Sequence, residues 1–185
     1  MSQLKKITAE KATDITQHYE MEEEAADQLN KNTSMVPYDF ITLLLRQELY
    51  SEAVKFLAHA LPKRRSVWWA SLCARTAPEE QTNTQALIAV QRWVQEPNEE
   101  HRKNCFNLAE MDQLKSSASW AALAAFWSSG SIADDSIAQI PPPPFQYALA
   151  VTAAVNLAAA AHPSVNDAFK MLLQEGLDIA NGREE

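Results

Sequence analysis

The stretch that most narrows the possible folds is FQYALAVTAAVNLAAAA, residues 145–161, a helix apolar on almost every side. A helix without a polar face has to be enclosed by others, so this one is expected at the centre of a helical assembly. Four prolines, Pro141–Pro144, stand directly before it. Each fixes its own φ and forces the residue ahead of it to stay extended, so the segment is expected as a stiff polyproline strap laid across the surface. Only 3 glycines occur in 185 residues, too few for the turns of a sandwich or barrel. The expected fold class is therefore all-α, a multi-helix bundle or stack of α-hairpins with about 7–9 helices and the strap near 141–144.

Punctuation along the chain divides it in two. Residues 1–36 are rich in Glu, Lys, Gln, Asn and Thr, include the acidic run EMEEEAAD and carry no sustained apolar stripe, so they are expected as a flexible acidic arm. From Pro37 to about 182 a single helical domain is expected. Phe40, Leu43, Leu44, Tyr50, Val54, Phe56 and Leu57 recur at helical spacing, with Ser51 as a cap between two helices. Pro62 opens the next helix, expected to run to Thr76. Thr82 or Thr84 leads into ALIAVQRWVQE, Asn98 into NEEHRKNCFNLAEMD, and Gly130 closes SASWAALAAFWSSGS.

Charge and residue usage exclude several functions. A net charge of −8 disfavours binding to nucleic acid, whose phosphates need a positive surface. The longest apolar runs are short and mostly alanine, so no membrane insertion is expected, and the absence of a signal peptide points to a cytoplasmic protein. Cys73 and Cys105 lack metal-type clustering and are expected as buried thiols. The histidines, His18, His59, His101 and His162, are scattered; His101 with Cys105 at i, i+4 gives two ligands where a metal site needs three or four. No metal, cofactor or catalytic residue is expected. Cys73 has no local histidine to activate it, and Glu22, Glu23 and Glu24 read as a solvated face.

The segment LPKRRSVWWASLCAR, residues 61–75, carries the one unusual constellation. On a helix Arg64, Trp68, Ser71 and Arg75 share a face, while adjacent Trp69 points about 100° away. Trp69, Leu72 and Cys73 are then core residues, together with Trp93, Trp120 and Trp127. Arg64, Arg65, Trp68 and Arg75 form a margin with two readings: a structural clamp of cation–π and ionic contacts, or a partner-binding patch of the residue types enriched at interfaces. The acidic arm is a candidate to dock on it.

These segments, together with ALIAVQRWVQEPNEEHRKNC, WAALAAFWSSGSIA, PPPPFQYALAVTAAV and GLDIANG, resemble a bacterial family of uncharacterised helical proteins encoded beside type VI secretion components. The resemblance spans about 60–182. It implies an accessory role in loading: an adaptor or co-adaptor, chaperone-like, whose protein partner is an effector, an effector chaperone or a PAAR-like spike-tip protein. It supplies no catalytic residues. Two other readings stay open, an immunity protein that neutralises a toxin, and a ligand-binding or enzymatic domain whose polar groups converge only in three dimensions. An enzyme should show a deep pocket with converging ionisable groups, an adaptor a groove or exposed apolar patch.

Overall fold

Helix signals in the sequence become ten α-helices in the computed structural model, which describes residues 4–78, 83–133 and 138–184. They are α1 (Ala12–Thr16), α2 (Glu23–Asn30), α3 (Pro37–Arg46), α4 (Tyr50–Ala60), α5 (Lys63–Ala74), α6 (Thr84–Gln95), α7 (Glu99–Met111), α8 (Ser117–Phe126), α9 (Gln146–Ala160) and α10 (Val165–Ala180). Among the described residues there is no strand. The fold is an all-α multi-helix bundle, and α9 sits at its centre, touching α4, α5, α8 and α10. Beyond buried Tyr147 at its start, its buried face is Ala148, Ala150, Val151, Ala154, Val155, Ala158 and Ala159, small enough for α8 and α5 to pack close. Leu149 and Leu157 remain on an exposed edge, so the helix is enclosed on most sides rather than all.

Local chemistry explains most boundaries. Pro37 occupies the first turn of α3, where its missing N–H costs nothing. Asn98 caps α7, its side-chain oxygen accepting the His101 N–H at 2.8 Å. Asn83 does the same for α6, accepting from Ala86 N–H at 3.1 Å, while Thr84 is the first helical residue and Thr82 lies outside the described residues. Ser51 does not cap α4; Leu49 takes that position and Ser51 lies inside the first turn. Pro62 is the cap of α5 rather than its first residue, and the helix ends at Ala74. α8 stops at Phe126, four residues before Gly130, which has φ +70° and lies against Arg102.

The expectation of a flexible arm over 1–36 is corrected by packing. Leu4, Ile7, Ala12, Ile15, Ala25 and Leu29 are buried, so the segment from residue 4 onward belongs to the core. α1 and α2 raise the helix count above the expected 7–9, whereas α3–α10 lie within it. In α2, Ala25 and Leu29 face inward at i, i+4 and Glu23, Glu24 and Asp27 face outward, a narrow amphipathic helix. Backbone bonds tie the segment down: Lys6 N–H donates to the Ala180 carbonyl and Ala12 N–H to the Met35 carbonyl, each at 2.8 Å.

Candidate functional site

Helix α5 is pinned by the residues the sequence assigns to the core. Trp69 is fully buried and its indole N–H donates to the Leu172 carbonyl of α10 at 2.8 Å; Leu72 and Cys73 are buried beside it. Gly176 supplies the notch that admits the indole, since a Cβ there would stand 2.7 Å from Trp69 Cε2. Trp93 is also buried, whereas Trp120 and Trp127 pack against the core half-buried, Trp120 donating its indole N–H to the Leu114 carbonyl at 3.0 Å.

The margin of α5 is held by the chain itself. Arg64 donates through Nε to the Val94 carbonyl at the end of α6. Arg65 Nη1 donates to the Arg183 carbonyl at 2.9 Å, and Nη2 lies 3.4 Å from the Glu184 carboxylate, which also pairs with Lys6 at 3.7 Å. The guanidinium over Trp68 belongs to Arg183, 5.9 Å from the ring centroid, and Arg183 is paired with Glu175. Arg75 caps the C-terminus of α5 and is exposed. Acids that meet this helix, Glu184 and Glu175, thus come from the C-terminal part of the chain, while residues 18–22 dock on α4. Three of the four margin residues support the clamp reading, although exposed pairs of this kind contribute only about 0–1 kcal/mol each.

Two buried polar centres escaped sequence reasoning. Glu52 on α4 has no exposed surface, pairs with Lys55 at 2.9 Å and accepts the Glu22 N–H at 3.2 Å; Lys55 also donates to the Glu20 carbonyl. Tyr19 lies beside them, its ring 4.5 Å from that of His59, and burial followed by the Glu52 charge pushes its hydroxyl far above the ordinary range. His59 Nδ1 contacts the Lys55 carbonyl at 2.7 Å, and since a carbonyl only accepts, Nδ1 carries the proton. Burial lowers the His59 pKa, outweighing that bond, and the His18 and Lys55 charges lower it further. The signal was present: Glu52 and His59 lie seven residues apart, on one face of a helix whose other buried positions are apolar. The second centre is Arg102, 1% exposed, bonded to Glu99 at 2.6 and 2.7 Å, to the Phe126 carbonyl at 2.8 Å and to the Ser131 carbonyl at 2.9 Å. It caps the end of α8 and anchors the loop that leads to the strap.

Phe145 joins the strap to α9 with φ +61°, a left-handed conformation rare for a bulky residue. Gln146 N–H donates to the Pro143 carbonyl at 3.2 Å, closing a turn whose second residue is Pro144. Proline cannot take a positive φ, so the turn is type II, with Phe where Gly is usual. The strain, about 1–3 kcal/mol for such a residue, is held by stacking. The Phe145 ring lies 4.1 Å from that of His18 and 5.7 Å from that of His59.

Three hollows bordered by described residues are open to solvent. One hollow of about 610 Å³ borders Asp112, Lys115 and Ser116. Burial alone would raise the Asp112 carboxyl, but hydrogen bonds from Ser119, Ser116 and Asn83 hold it below its ordinary value, so its acceptors serve the N-terminus of α8 and the Asn83 cap of α6. A second hollow, about 340 Å³, lies between α3 and α10 over Leu45, Tyr50, Leu173 and Leu177. A third, about 440 Å³, continues across α3 over Met35, Tyr38 and Leu43, sharing Thr42 and Arg46 with the second. Together they form a largely apolar groove flanked by the cations Arg46 and Lys170 and, at the α3 end, by the exposed acid Asp39. Cys73 and Cys105 are buried; burial pushes the Cys73 thiol well up and that of Cys105 up to about 12, so both stay protonated and unreactive at neutral pH. Among the described residues, no cluster of three His, Cys, Asp or Glu side chains could hold a metal ion, and no helix is long and apolar enough to cross a membrane.

Neither a curated protein nor a solved structure matches this chain. A family model matches residues 40–180, the span from Phe40 in α3 to the end of α10 that holds the α5 margin, Arg102, the strap and the groove apart from Met35, Tyr38 and Asp39; the chain belongs to that family, a family of unknown function (DUF6931).

Proposed function

We propose that this protein is a non-catalytic protein–protein interaction protein acting as a cytoplasmic adaptor or co-adaptor that helps load an effector or spike-tip protein in type VI secretion. The observation that carries the interaction reading is the open groove between α3 and α10, floored by Leu45, Tyr50, Leu173 and Leu177 and rimmed by Arg46 and Lys170. Its form suits an amphipathic helix whose apolar face enters the groove and whose acids meet the two cations. The type VI assignment rests on the resemblance of the sequence motifs. It agrees with an open, largely apolar groove on a chain whose buried Glu52 and Arg102 are each paired internally.

The test is affinity capture from the native host, with mass spectrometry of what is retained, using wild type and an Arg46→Glu, Lys170→Glu double variant. Both positions are exposed, so the double variant should melt like wild type and lose the captured partner. The expected partner is an effector, its chaperone or a PAAR-like protein. Capture of a toxin whose activity the chain abolishes would replace the adaptor reading with an immunity role. Unchanged capture by the double variant would remove the groove.

A further inference from the structure

We propose that residues 138–144, with Ile132 beside them, are a preformed polyproline ligand for a partner whose groove is lined by Trp and Tyr side chains. This surface lies on the α8–α9 connection, apart from the α3–α10 groove. Its conformation follows from the sequence: Ile140 to Pro143 each precede a proline and are held extended, and the four prolines fix their own φ. In a polyproline helix with three residues per turn, Pro141 and Pro144 fall on the same edge, the P-x-x-P spacing that aromatic grooves read.

Both ends are fastened. At the first, Ile132 N–H donates to the Ile140 carbonyl at 2.8 Å and Ile140 N–H to the Ser131 hydroxyl at 3.0 Å, while buried Arg102 holds the Ser131 carbonyl. At the other, the type II turn and the stacking of Phe145 on His18 fix the exit into α9. The fold has therefore already lost the freedom that a loose peptide would lose on binding.

What the strap presents defines its partner. Pro141, Pro143 and Pro144 are exposed, and Ile132 and Ile140 are 42% and 48% exposed, an apolar ridge. Prolines have no N–H, and no hydrogen bond from a described residue reaches the Pro141 or Pro142 carbonyl. The strap thus offers apolar ridges and free acceptors but no donors in its proline run. A complementary surface needs flat apolar faces that also carry hydrogen-bond donors, which are the indole of Trp and the phenol of Tyr.

The experiment uses isolated SH3, WW and EVH1 domains as aromatic-groove probes, titrated by calorimetry with a synthetic peptide of residues 138–145 and with the whole folded chain. At least one domain should bind the peptide, and the whole chain should bind that domain about 3–10-fold more tightly because the strap is held in place. A Pro141→Ala, Pro143→Ala double variant, and separately Ile140→Ser, should each weaken binding by the whole chain, the double variant about 10-fold or more, with unchanged melting. Failure of all three domains to bind the peptide would overturn the proposal. So would binding of the peptide but not the folded chain, or equal binding by the double variant. Because the Arg46→Glu, Lys170→Glu chain keeps its strap, it should bind the probe like wild type, which separates this result from the fate of the groove.

Discussion

Replacing Gly176 by alanine should destabilise this protein, although the same change in most helix interiors stabilises. Gly176 lies in α10, where alanine would gain about 1 kcal/mol in helix propensity. Its Cβ, however, would stand 2.5 Å from Leu57 Cδ2, 2.7 Å from Trp69 Cε2 and 2.9 Å from Trp69 Nε1. Neither neighbour has room to retreat, since Leu57 and Trp69 are both fully buried. Overpacking of this kind costs about 1–3 kcal/mol. Displacing the indole also breaks its 2.8 Å bond to the Leu172 carbonyl and strands a buried N–H. That adds about 1–3 kcal/mol, so that after the propensity gain the net loss is about 3 kcal/mol. For a chain of this size that is a fall of about 6–12 °C in Tm. Urea and thermal unfolding of wild type, Gly176→Ala, Trp69→Phe and the double variant form the assay. The smaller phenyl ring should make room, so the alanine should cost about 2 kcal/mol less in the Trp69→Phe background. A Gly176→Ala protein more stable than wild type, or a cost unchanged by Trp69→Phe, would refute the notch.

Trp68→Ala and Arg65→Glu test the clamp: if the α5 margin holds the C-terminal residues, Trp68→Ala should lose about 1–2 kcal/mol by thermal melt and leave partner capture intact, whereas loss of capture at unchanged Tm would make the margin an interface. Arg102→Lys should cost about 3 kcal/mol, because an ammonium cannot serve the Glu99 carboxylate and the Phe126 and Ser131 carbonyls together, and amide exchange around Ser131–Ala133 should quicken; wild-type melting of this variant would count against the role given to Arg102. His59 predicts a pH dependence. Its folded pKa lies below the ordinary 6.5, so as pH falls through 6.5 the unfolded chain takes up a proton that the folded chain refuses, and stability drops by up to about 1.4 kcal/mol per pH unit until the folded pKa is reached. His59→Gln should flatten the profile just below pH 6.5, and an equal slope in both proteins would discard the assignment.

How much of this was legible in the sequence depended on the range of the forces involved. The helices after Pro37, the cap at Asn98, the central place of the alanine-rich helix and the extended strap all follow from interactions within a few residues, whereas the cap of α6 is Asn83 and not either neighbouring threonine. Periodicity, proline geometry and capping report those directly. The same rules passed over residues 4–36, because α1 and α2 are only 5 and 8 residues long and bury a few side chains each, too short to show a sustained stripe. Their order comes from the body they pack on, through Lys6 on Ala180 and Glu22 on Glu52. The margin of α5 shows the same division. Spacing separated the core face of Trp69 from the margin of Trp68, but only the tertiary structure decided that Trp68 meets Arg183, that Trp69 meets Leu172 and that Gly176 makes room for it. Those partners lie more than 100 residues along the chain, and they meet because helix packing brings α10 against α5, a long-range juxtaposition that no local pattern encodes.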